Sequence, residues 1–205
     1  MFTGIVQAVG RIAATAPGPG AGRLVVACGS LDASDVSIGD SIAVSGCCLT
    51  VVGIEREGGE SRLAFDVSAE TLACTANLDG PGEVNLEKAL RLADRLGGHL
   101  MTGHVDGVGS VAEVAPDGAG SVRVTVDAPA ALGPYIAAKG SISIDGVSLT
   151  VNHVEGRRFH VNLIPHTLTV TTLRSLAPGR RVNLEVDLIA RYVARRSEYR
   201  GQDSI

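Results

Sequence analysis

Short stretches of alternating apolar and polar residues, separated by glycine-containing turns, recur along the chain. Residues 121–126 carry valine at every second position, and residues 142–144 also alternate. The second stretch leads into Asp145-Gly146 and then into another β-branched run at residues 149–151, and an Asp-Gly pair in this setting is a strong signal of a β-hairpin. Many short strands with glycine at the turns predict an all-β fold of closed Greek-key barrels, which leave no exposed edge.

The pattern occurs twice, because the chain carries an internal repeat. Five blocks of the first half recur in the same order in the second half: residues 2–10 and 101–109, 41–52 and 141–152, 65–67 and 159–161, 70–72 and 166–168, and 84–87 and 182–185. The fourth match requires two extra residues in the second copy. We therefore expect two tandem six-stranded barrels, a first domain of residues 1–97 and a second of residues 98–187, followed by a C-terminal helix and tail, residues 188–205.

Few helices are predicted, and all are short. Ser68 is a plausible N-cap, and Pro165 suits the first position of a helix in the matching segment. Residues 86–95 form a third candidate, and residues 188–196 a fourth. The fourth carries its apolar residues on one face, which would leave an apolar stripe in water if the helix stood alone. Two interpretations stay open: this helix packs on its own barrel, or it forms a contact between subunits.

Composition and charge exclude several classes of protein. The 205 residues carry a formal net charge of −4, with two lysines and sixteen scattered arginines, which argues against a dedicated nucleic-acid binder. The cysteines, Cys28, Cys47, Cys48 and Cys74, form no C-x-x-C pair, so neither a zinc site nor a disulfide framework is expected. No apolar run approaches the ~20 residues of a membrane span, and the first residues do not resemble a signal peptide. We expect a soluble, cytoplasmic protein.

Differences between the two copies suggest chemistry. The second copy has charged or hydrogen-bonding residues where the first has others: His104 for Ile5, Lys139 for Gly39, Asp145 for Ser45, Ser148 for Cys48 and His160 for Asp66. A symmetric binding protein has no need of such differences. An enzyme that holds two copies of one substrate in unequal roles does need them, because one site donates and the other accepts.

Each of these residues also has a purely structural interpretation. Asp145 before a glycine is often only turn chemistry, and Ser148 could simply bond to backbone. His104 could be structural, Lys139 could be a solvated surface residue, and Cys48 could fill the core. The interpretation as an acid–base group gains weight because histidine titrates near neutral pH.

The motifs as a set resemble riboflavin synthase of the alpha-chain type. The resemblance covers residues 1 to about 196 and rests on seven motifs in order: MFTGIV, GDSIAVSGCCLTV, VNLE, RLGGHLMTGHVDGVG, KGSISIDGVSLTV, LIPHTL and VNLEVDLIARYV. It implies two flavin-binding-type barrels and a homotrimer formed through the C-terminal helix. It also implies a dismutation of two 6,7-dimethyl-8-ribityllumazine molecules to riboflavin and 5-amino-6-(D-ribitylamino)uracil, the last step of riboflavin biosynthesis, without cofactor or metal. Lumazine synthase is a candidate partner. The alternative is a non-catalytic antenna protein that binds lumazine or flavin.

The resemblance further implies the residues of the site. As catalytic residues it indicates Ser41, Cys48, His104, Asp145, Ser148 and Asp187. For substrate binding in the first barrel it indicates Phe2, Gly4, Ile5, Val6, Cys48, Leu49, Thr50, Asp66, Val67, Ser68, Ala69, Glu70 and Thr71. For the second barrel it indicates Gly103, His104, Val105, Lys139, Ser148, Leu149, Thr150, Asn162, Leu163, Ile164, Pro165, His166 and Thr167.

Overall fold

A computed structural model describes residues 1–18 and 21–202 of the chain. The first six strands close one antiparallel barrel in the order β1-β2-β5-β4-β3-β6. They are β1 (Ala8–Gly18), β2 (Ala21–Ala27), β3 (Ser41–Val44), β4 (Cys47–Glu57), β5 (Glu60–Ser68) and β6 (Gly82–Lys88).

The next six strands close a second barrel with the same neighbour relations. They are β7 (Gly107–Pro116), β8 (Val122–Asp127), β9 (Ser141–Ile144), β10 (Val147–Glu155), β11 (Arg158–Leu163) and β12 (Arg181–Val186). The helices are α1 (Ala69–Cys74), α2 (Pro165–Val170) and α3 (Leu188–Gln202), with 3₁₀ turns at Ala130–Tyr135 and Thr172–Ser175. The all-β double barrel with a C-terminal helix is confirmed; residues 203–205, the end of the predicted tail, lie outside the described residues.

Each barrel encloses its own aliphatic core. Phe65 is fully buried in the first core and Phe159 is almost so in the second, each surrounded by Val, Leu and Ile side chains. Burial of these side chains, at roughly 1.5–3 kcal/mol each, is what holds strands together in a chain with few aromatic residues. A third, small cluster of Phe2, Ala43 and Met101 lies between the two halves.

The strand register corrects one match of the repeat. Val51 of β4 pairs with Phe65, and its counterpart Val151 pairs with Val161, so Phe65 corresponds to Val161 and not to Phe159. The β10–β11 hairpin is four residues shorter than β4–β5, which accounts for the shift. The counterpart of Asp66 is therefore Asn162, and these two residues lie opposite Arg23 and Arg123 respectively. The expected pairing of Asp66 with His160 was wrong.

Two predicted helices are present, and the segment of a third predicted helix begins as a strand. Ser68 is the N-cap of α1, its Oγ accepting a hydrogen bond from Thr71 N at 3.0 Å, and Pro165 opens α2 as predicted. The helix predicted at residues 86–95 was wrong. Leu86 and Lys88 belong to β6, because Val44 and Ile42 pair with them across the barrel. Non-local pairing thus overrides the local helical pattern.

Two asparagines of the repeated VNLE motif hold the barrels against each other. Asn85 Nδ2 donates to Asp145 O at 2.8 Å, and Asn183 Nδ2 donates to Ser45 O at 2.9 Å. Their side-chain oxygens accept backbone N–H groups, Asn85 from Thr172 and Asn183 from Ala76. Both asparagines are buried, and the side chain of each is hydrogen-bonded by the opposite half of the chain.

Helix α3 is tied to the second barrel near its start. Arg191 forms an ion pair with Asp106, whose side chain is almost buried, and the Arg191 guanidinium lies 5.8 Å from the Tyr135 ring centroid. Yet Ile189, Tyr192 and Val193 are 64%, 72% and 60% exposed. The helix therefore contacts its own barrel while its apolar stripe stays uncovered in the single chain.

Two further observations concern only the part of the chain that the structure describes. No helix in it combines the length and the hydropathy that crossing a membrane requires. No three His, Cys, Asp or Glu side chains come together in it as ligands of one metal ion would.

We expect Gly146→Ala to destabilise the protein strongly, because Gly146 has a φ of +81° and an added Cβ would lie 2.7 Å from Gly46 N. The matched control is Gly156→Ala, at a similar φ of +58° but with no atom within 4 Å. The control should cost about 1 kcal/mol of unfolding free energy from backbone strain, and Gly146→Ala about 3 kcal/mol or more. Urea unfolding of both variants measures this, and equal losses would contradict close packing of the two turns.

Candidate active site

Two short segments leave one barrel and lie on the other. We call residues 3–6 the first crossing segment and residues 102–105 the second crossing segment. Gly4 O accepts a hydrogen bond from Ser148 N of the second barrel at 2.9 Å, and Gly103 O accepts one from Cys48 N of the first barrel at 2.8 Å. An antiparallel bridge pairs Phe2 with Met101, the residues that directly precede the two crossing segments.

This crossing corrects part of an assignment made from the sequence. Residues 4–6 were expected in the site of the first barrel and residues 103–105 in that of the second. Instead, Val6 packs against the core of the second barrel and Val105 against the core of the first. Ile5 and His104, in contrast, line cavities of their own halves. Each candidate site therefore combines strands of one barrel with the crossing segment of the other half.

The glycines of the crossing segments are required by close approach. Gly4 has a φ of +76°, and a Cβ built on it would lie 2.6 Å from the Ser148 Cβ. Gly103 has a φ of +78°, and its added Cβ would lie 2.6 Å from the Cys48 Cβ. The repeated Thr-Gly pair thus brings the backbone directly against Ser148 and Cys48, which occupy the same position in the two copies but differ in residue type.

In the second barrel, Ser148 is paired with a buried histidine. His99 Nδ1 lies 2.7 Å from Ser148 Oγ, and His99 is 8% exposed. Burial lowers the pKa of His99, while the charge of Asp187 acts in the opposite direction. A neutral imidazole beside a hydroxyl can exchange a proton with it at neutral pH. His99 Nε2 is buried and has no hydrogen-bond partner within the described residues, so a ligand could use it.

Sequence reasoning missed His99. The comparison of the two copies begins at residues 2 and 101, so it did not include His99. The only signal was its presence in the RLGGHLMTG motif that supported the family resemblance.

In the first barrel, two adjacent cysteines have different environments. Cys47 belongs to the core, and burial raises the pKa of its thiol to about 12. Cys48 is half-buried and lies under the second crossing segment. The core-filling interpretation thus applies to Cys47, and Cys48 is the thiol that lies at the candidate site.

Ser41 lies at a groove of the first barrel. It pairs with Thr50 across the β3–β4 ladder and lines a groove of about 690 Å³ together with Ile5, Lys88 and Glu87. The corresponding cavity of the second half is smaller, about 250 Å³. Leu188 and Arg191 of α3 line it together with His104. His104 is exposed, and its N–H donates to Thr102 Oγ1 at 3.3 Å.

The polar residues gathered from the second copy do not form one cluster. Within residues 1–18 and 21–202, no hydrogen bond or ion pair joins His104, Lys139 or Asp145 to Ser148. His104 follows Gly103, which lies on Cys48 of the first barrel.

Lys139 occupies a strained turn. Its φ is +66°, and its N–H donates to Val151 O as the N–H of Gly39 does to Val51 O in the first copy. A left-handed lysine costs about 1 kcal/mol where glycine costs almost nothing. The exposed side chain of Lys139, which Gly39 lacks, therefore agrees with a role in binding a ligand.

Asp145 is part of the joint between the barrels. It is 3% exposed, its backbone O accepts from Asn85, and its Oδ1 accepts from Asn183 N at 2.8 Å. Burial raises the pKa of Asp145 to about 7. This environment fits the turn interpretation of Asp145, and its predicted catalytic role is not supported by any contact with Ser148.

The remaining predicted binding residues lie at strand ends and first helical turns. Val67, Leu163 and Leu49 are buried in the cores and could offer a ligand only backbone atoms. Exposed or half-buried side chains are available at Thr50, Asp66, Ser68, Ala69, Glu70, Thr71, Leu149, Thr150, Asn162, Ile164, Pro165, His166 and Thr167.

One pair of counterparts among them differs in its bonding. Asp66 forms an ion pair with Arg23 at 2.8 Å, whereas Asn162 Nδ2 donates to the Asp117 carboxylate. Asn162 Oδ1 is buried and lacks a partner within the described part of the chain, so the second site has a free acceptor where the first has an ion pair.

Comparison with known proteins agrees with this architecture. The family model of the lumazine binding domain matches twice, at residues 3–89 and 102–187. The chain is 45% identical to riboflavin synthase of Photobacterium phosphoreum over 197 residues, which is 95% of this chain and 88% of that protein. It is 44% identical to riboflavin synthase of Mycobacterium bovis over 200 residues, 95% of this chain and 97% of that protein.

Solved structures also match this chain over most of its length. The chain is similar to LumP complexed with riboflavin, with a TM-score of 0.79 and 28% identity over 91% of this chain and 99% of that chain. LumP complexed with 6,7-dimethyl-8-(1'-D-ribityl) lumazine matches with a TM-score of 0.79 and 26% identity over the same shares.

The pKa of Asp145 predicts a pH-dependent stability. Because the folded-state pKa is raised, the native state holds a proton that the unfolded state releases, and this stabilisation is lost as pH rises from about 4 to about 7. Asp145→Ser, which installs the residue of the first copy, should therefore gain about 2–3 kcal/mol of unfolding free energy relative to the wild type when the pH is raised from 5 to 8. Urea unfolding at both pH values measures the difference, and a pH-independent difference would contradict the prediction.

Proposed function

The chain belongs to the riboflavin synthase family, and we propose that it catalyses the dismutation of two 6,7-dimethyl-8-ribityllumazine molecules to riboflavin and 5-amino-6-(D-ribitylamino)uracil. As a family member it is an enzyme of the transferase type. A four-carbon unit passes from one lumazine to the other. Two substrate molecules supply every atom of both products, so the reaction needs no oxidant or reductant.

The observation that carries this proposal is the pair of equivalent but unequal sites. Ser148 hydrogen-bonded to His99 lies under the first crossing segment, and Cys48 lies under the second. Two copies of one ligand can therefore bind in similar surroundings and meet different functional groups. A reaction in which one molecule donates and an identical one accepts requires this combination.

We assign proton transfer in the second barrel to Ser148 and His99. The 7-methyl group of the lumazine is unusually acidic because its carbanion delocalises into the ring, so one base and one acid are enough. The neutral, buried His99 can accept a proton through Ser148 Oγ or return it. The carboxylate of Asp187 raises the pKa of His99 and would stabilise the imidazolium once it forms.

Orientation supplies the rest of the acceleration in this mechanism. Holding two rings face to face can contribute roughly 7–11 kcal/mol without any further functional group. Ser41 and Cys48 of the first barrel then serve mainly to hold and orient the partner molecule. His104 lines the cavity of the second half beside Glu185 and Arg191, so it belongs with the second site.

The uncovered stripe of α3 supports a homotrimer. Ile189, Tyr192 and Val193 are apolar, exposed and on one face of the helix, and a cyclic assembly through this helix would cover them. A head-to-tail contact brings unlike surfaces together, so the first barrel of one chain can face the second barrel of its neighbour. Two bound lumazines could meet in this way.

The test is an assay of the purified chain with 6,7-dimethyl-8-ribityllumazine and no additive. Riboflavin fluorescence should accumulate over many turnovers, and Ser148→Ala should lower kcat at least tenfold with lumazine affinity within about threefold. Cys74→Ser, at an exposed cysteine of α1, serves as the control and should retain full activity. Stoichiometric binding without product would overturn the proposal in favour of the antenna protein.

The assembly has its own test. Ile189→Asp combined with Val193→Asp should convert a particle of three times the chain mass into monomers, because charges would be buried in the contact. Glu198→Gln, on the opposite side of α3, is the control. Light scattering measures the mass, and the double variant should also lose activity; a monomeric wild type would contradict the trimer.

A further inference from the structure

Two buried glutamates hold the crossing segments in place. Glu87 is 4% exposed, and its carboxylate accepts hydrogen bonds from Thr3 N and Thr3 Oγ1, both at 2.7 Å, and from Gly4 N at 2.9 Å. These donors belong to the first crossing segment. Glu87 itself lies in β6 of the first barrel, whereas the segment that it holds lies on the second.

Glu185 repeats the arrangement in the second half. It is 5% exposed, and its carboxylate accepts from Thr102 N at 2.6 Å, Thr102 Oγ1 at 2.8 Å and Gly103 N at 3.0 Å. Neither glutamate has an ion-pair partner among the described residues. Each buried carboxylate is therefore hydrogen-bonded by donors of a crossing segment, which fixes the position of that segment.

A short chain of contacts leads from Glu87 to the candidate catalytic pair. Thr3, held by Glu87, accepts a hydrogen bond at its backbone O from His99 N at 3.1 Å. His99 in turn contacts Ser148 Oγ, and Gly4 O accepts from Ser148 N. The carboxylate of the first barrel thus reaches both members of the pair in the second barrel through one crossing segment.

The corresponding chain from Glu185 leads to the first barrel. Glu185 holds Gly103 N, and Gly103 O accepts from Cys48 N at 2.8 Å. The second crossing segment also covers the Cys48 side chain, since Gly103 has no room for a Cβ beside it.

We propose that Glu87 and Glu185 are positioning residues that act crosswise: Glu87 of the first barrel sets the Ser148–His99 site of the second, and Glu185 of the second barrel sets the Cys48 site of the first. The inference deepens the proposed function and relies on it for the roles of the two sites. The repeated VNLE motif then has a complete assignment. Its apolar residues fill the cores, its asparagine joins the barrels, and its glutamate positions the opposite site.

A glutamine cannot replace either carboxylate. Glu87 uses Oε1 for the two Thr3 donors and Oε2 for Gly4 N, so a side-chain amide would direct an N–H group at one of these donors. Glu87→Gln and Glu185→Gln keep the side chain's size and remove only this match. They are therefore suitable test variants in the full-length enzyme.

The experiment reads each site separately. Alkylation of Cys48 by iodoacetamide, followed by peptide mass spectrometry, reports on the first barrel, with exposed Cys74 as internal reference. The imidazole NMR signals of His99 report on the second barrel. They are assigned as the signals that disappear in His99→Gln. Glu185→Gln should raise the Cys48 alkylation rate about tenfold and leave the His99 titration unchanged. Glu87→Gln should shift the His99 titration and leave the Cys48 rate within about twofold of the wild type.

Turnover and a milder pair of variants separate positioning from stability. Glu87→Gln should lower kcat about tenfold with KM within about threefold. Thr3→Val, which removes only the hydroxyl donor, should shift the His99 titration in the same direction, and Thr3→Ser should restore it. The crosswise arrangement would be overturned if each glutamine variant changed both reporters. It would also be overturned if neither variant changed either reporter. The two reporters need no turnover, so failure of the proposed function would appear separately, as an inactive wild type with an intact crossed pattern.

Discussion

The exchange of two backbone hydrogen bonds between the halves of the chain is the constraint on which the rest of the structure depends. Gly4 O accepts from Ser148 N, and Gly103 O accepts from Cys48 N. These bonds require glycines at positive φ, because any Cβ would collide with the side chain below. They also require the two barrels to stay in contact, since neither site is complete without the opposite half. The two halves are therefore joined at both candidate sites.

The joint that maintains this contact is polar and fully satisfied. Asn85 and Asn183 bond across it, and the two glycine turns approach so closely that side chains are excluded. Buried polar groups of this kind add little net stability but strongly disfavour alternative arrangements, because each would leave an unpaired donor or acceptor. Asp145 enters this joint in place of Ser45, so a difference between the copies that suggested catalysis has a structural explanation.

Against this nearly symmetric framework, the chemical differences are few and local. Ser148 replaces Cys48, and His99, just before the second repeat, pairs with Ser148. Burial keeps His99 neutral, which makes it suitable for moving protons rather than for holding an anion. Within the family to which the chain belongs, a symmetric scaffold with one asymmetric acid–base pair fits a reaction between two identical molecules.

The sequence alone determined the strands, their duplication and the motifs of the family, because alternation of side chains and turn residues are local properties. It identified Ser148, Cys48 and the Thr-Gly pairs, but it placed Val6 and Val105 on the wrong barrels and matched Asp66 to His160. Only the tertiary structure decided these points. Register depends on the pairing across hairpins that differ in length between the copies, and the partner of a crossing segment depends on backbone hydrogen bonds to the opposite half. His99 became visible for the same reason: its role comes from a contact with Ser148 across 49 residues of chain, which no local pattern encodes.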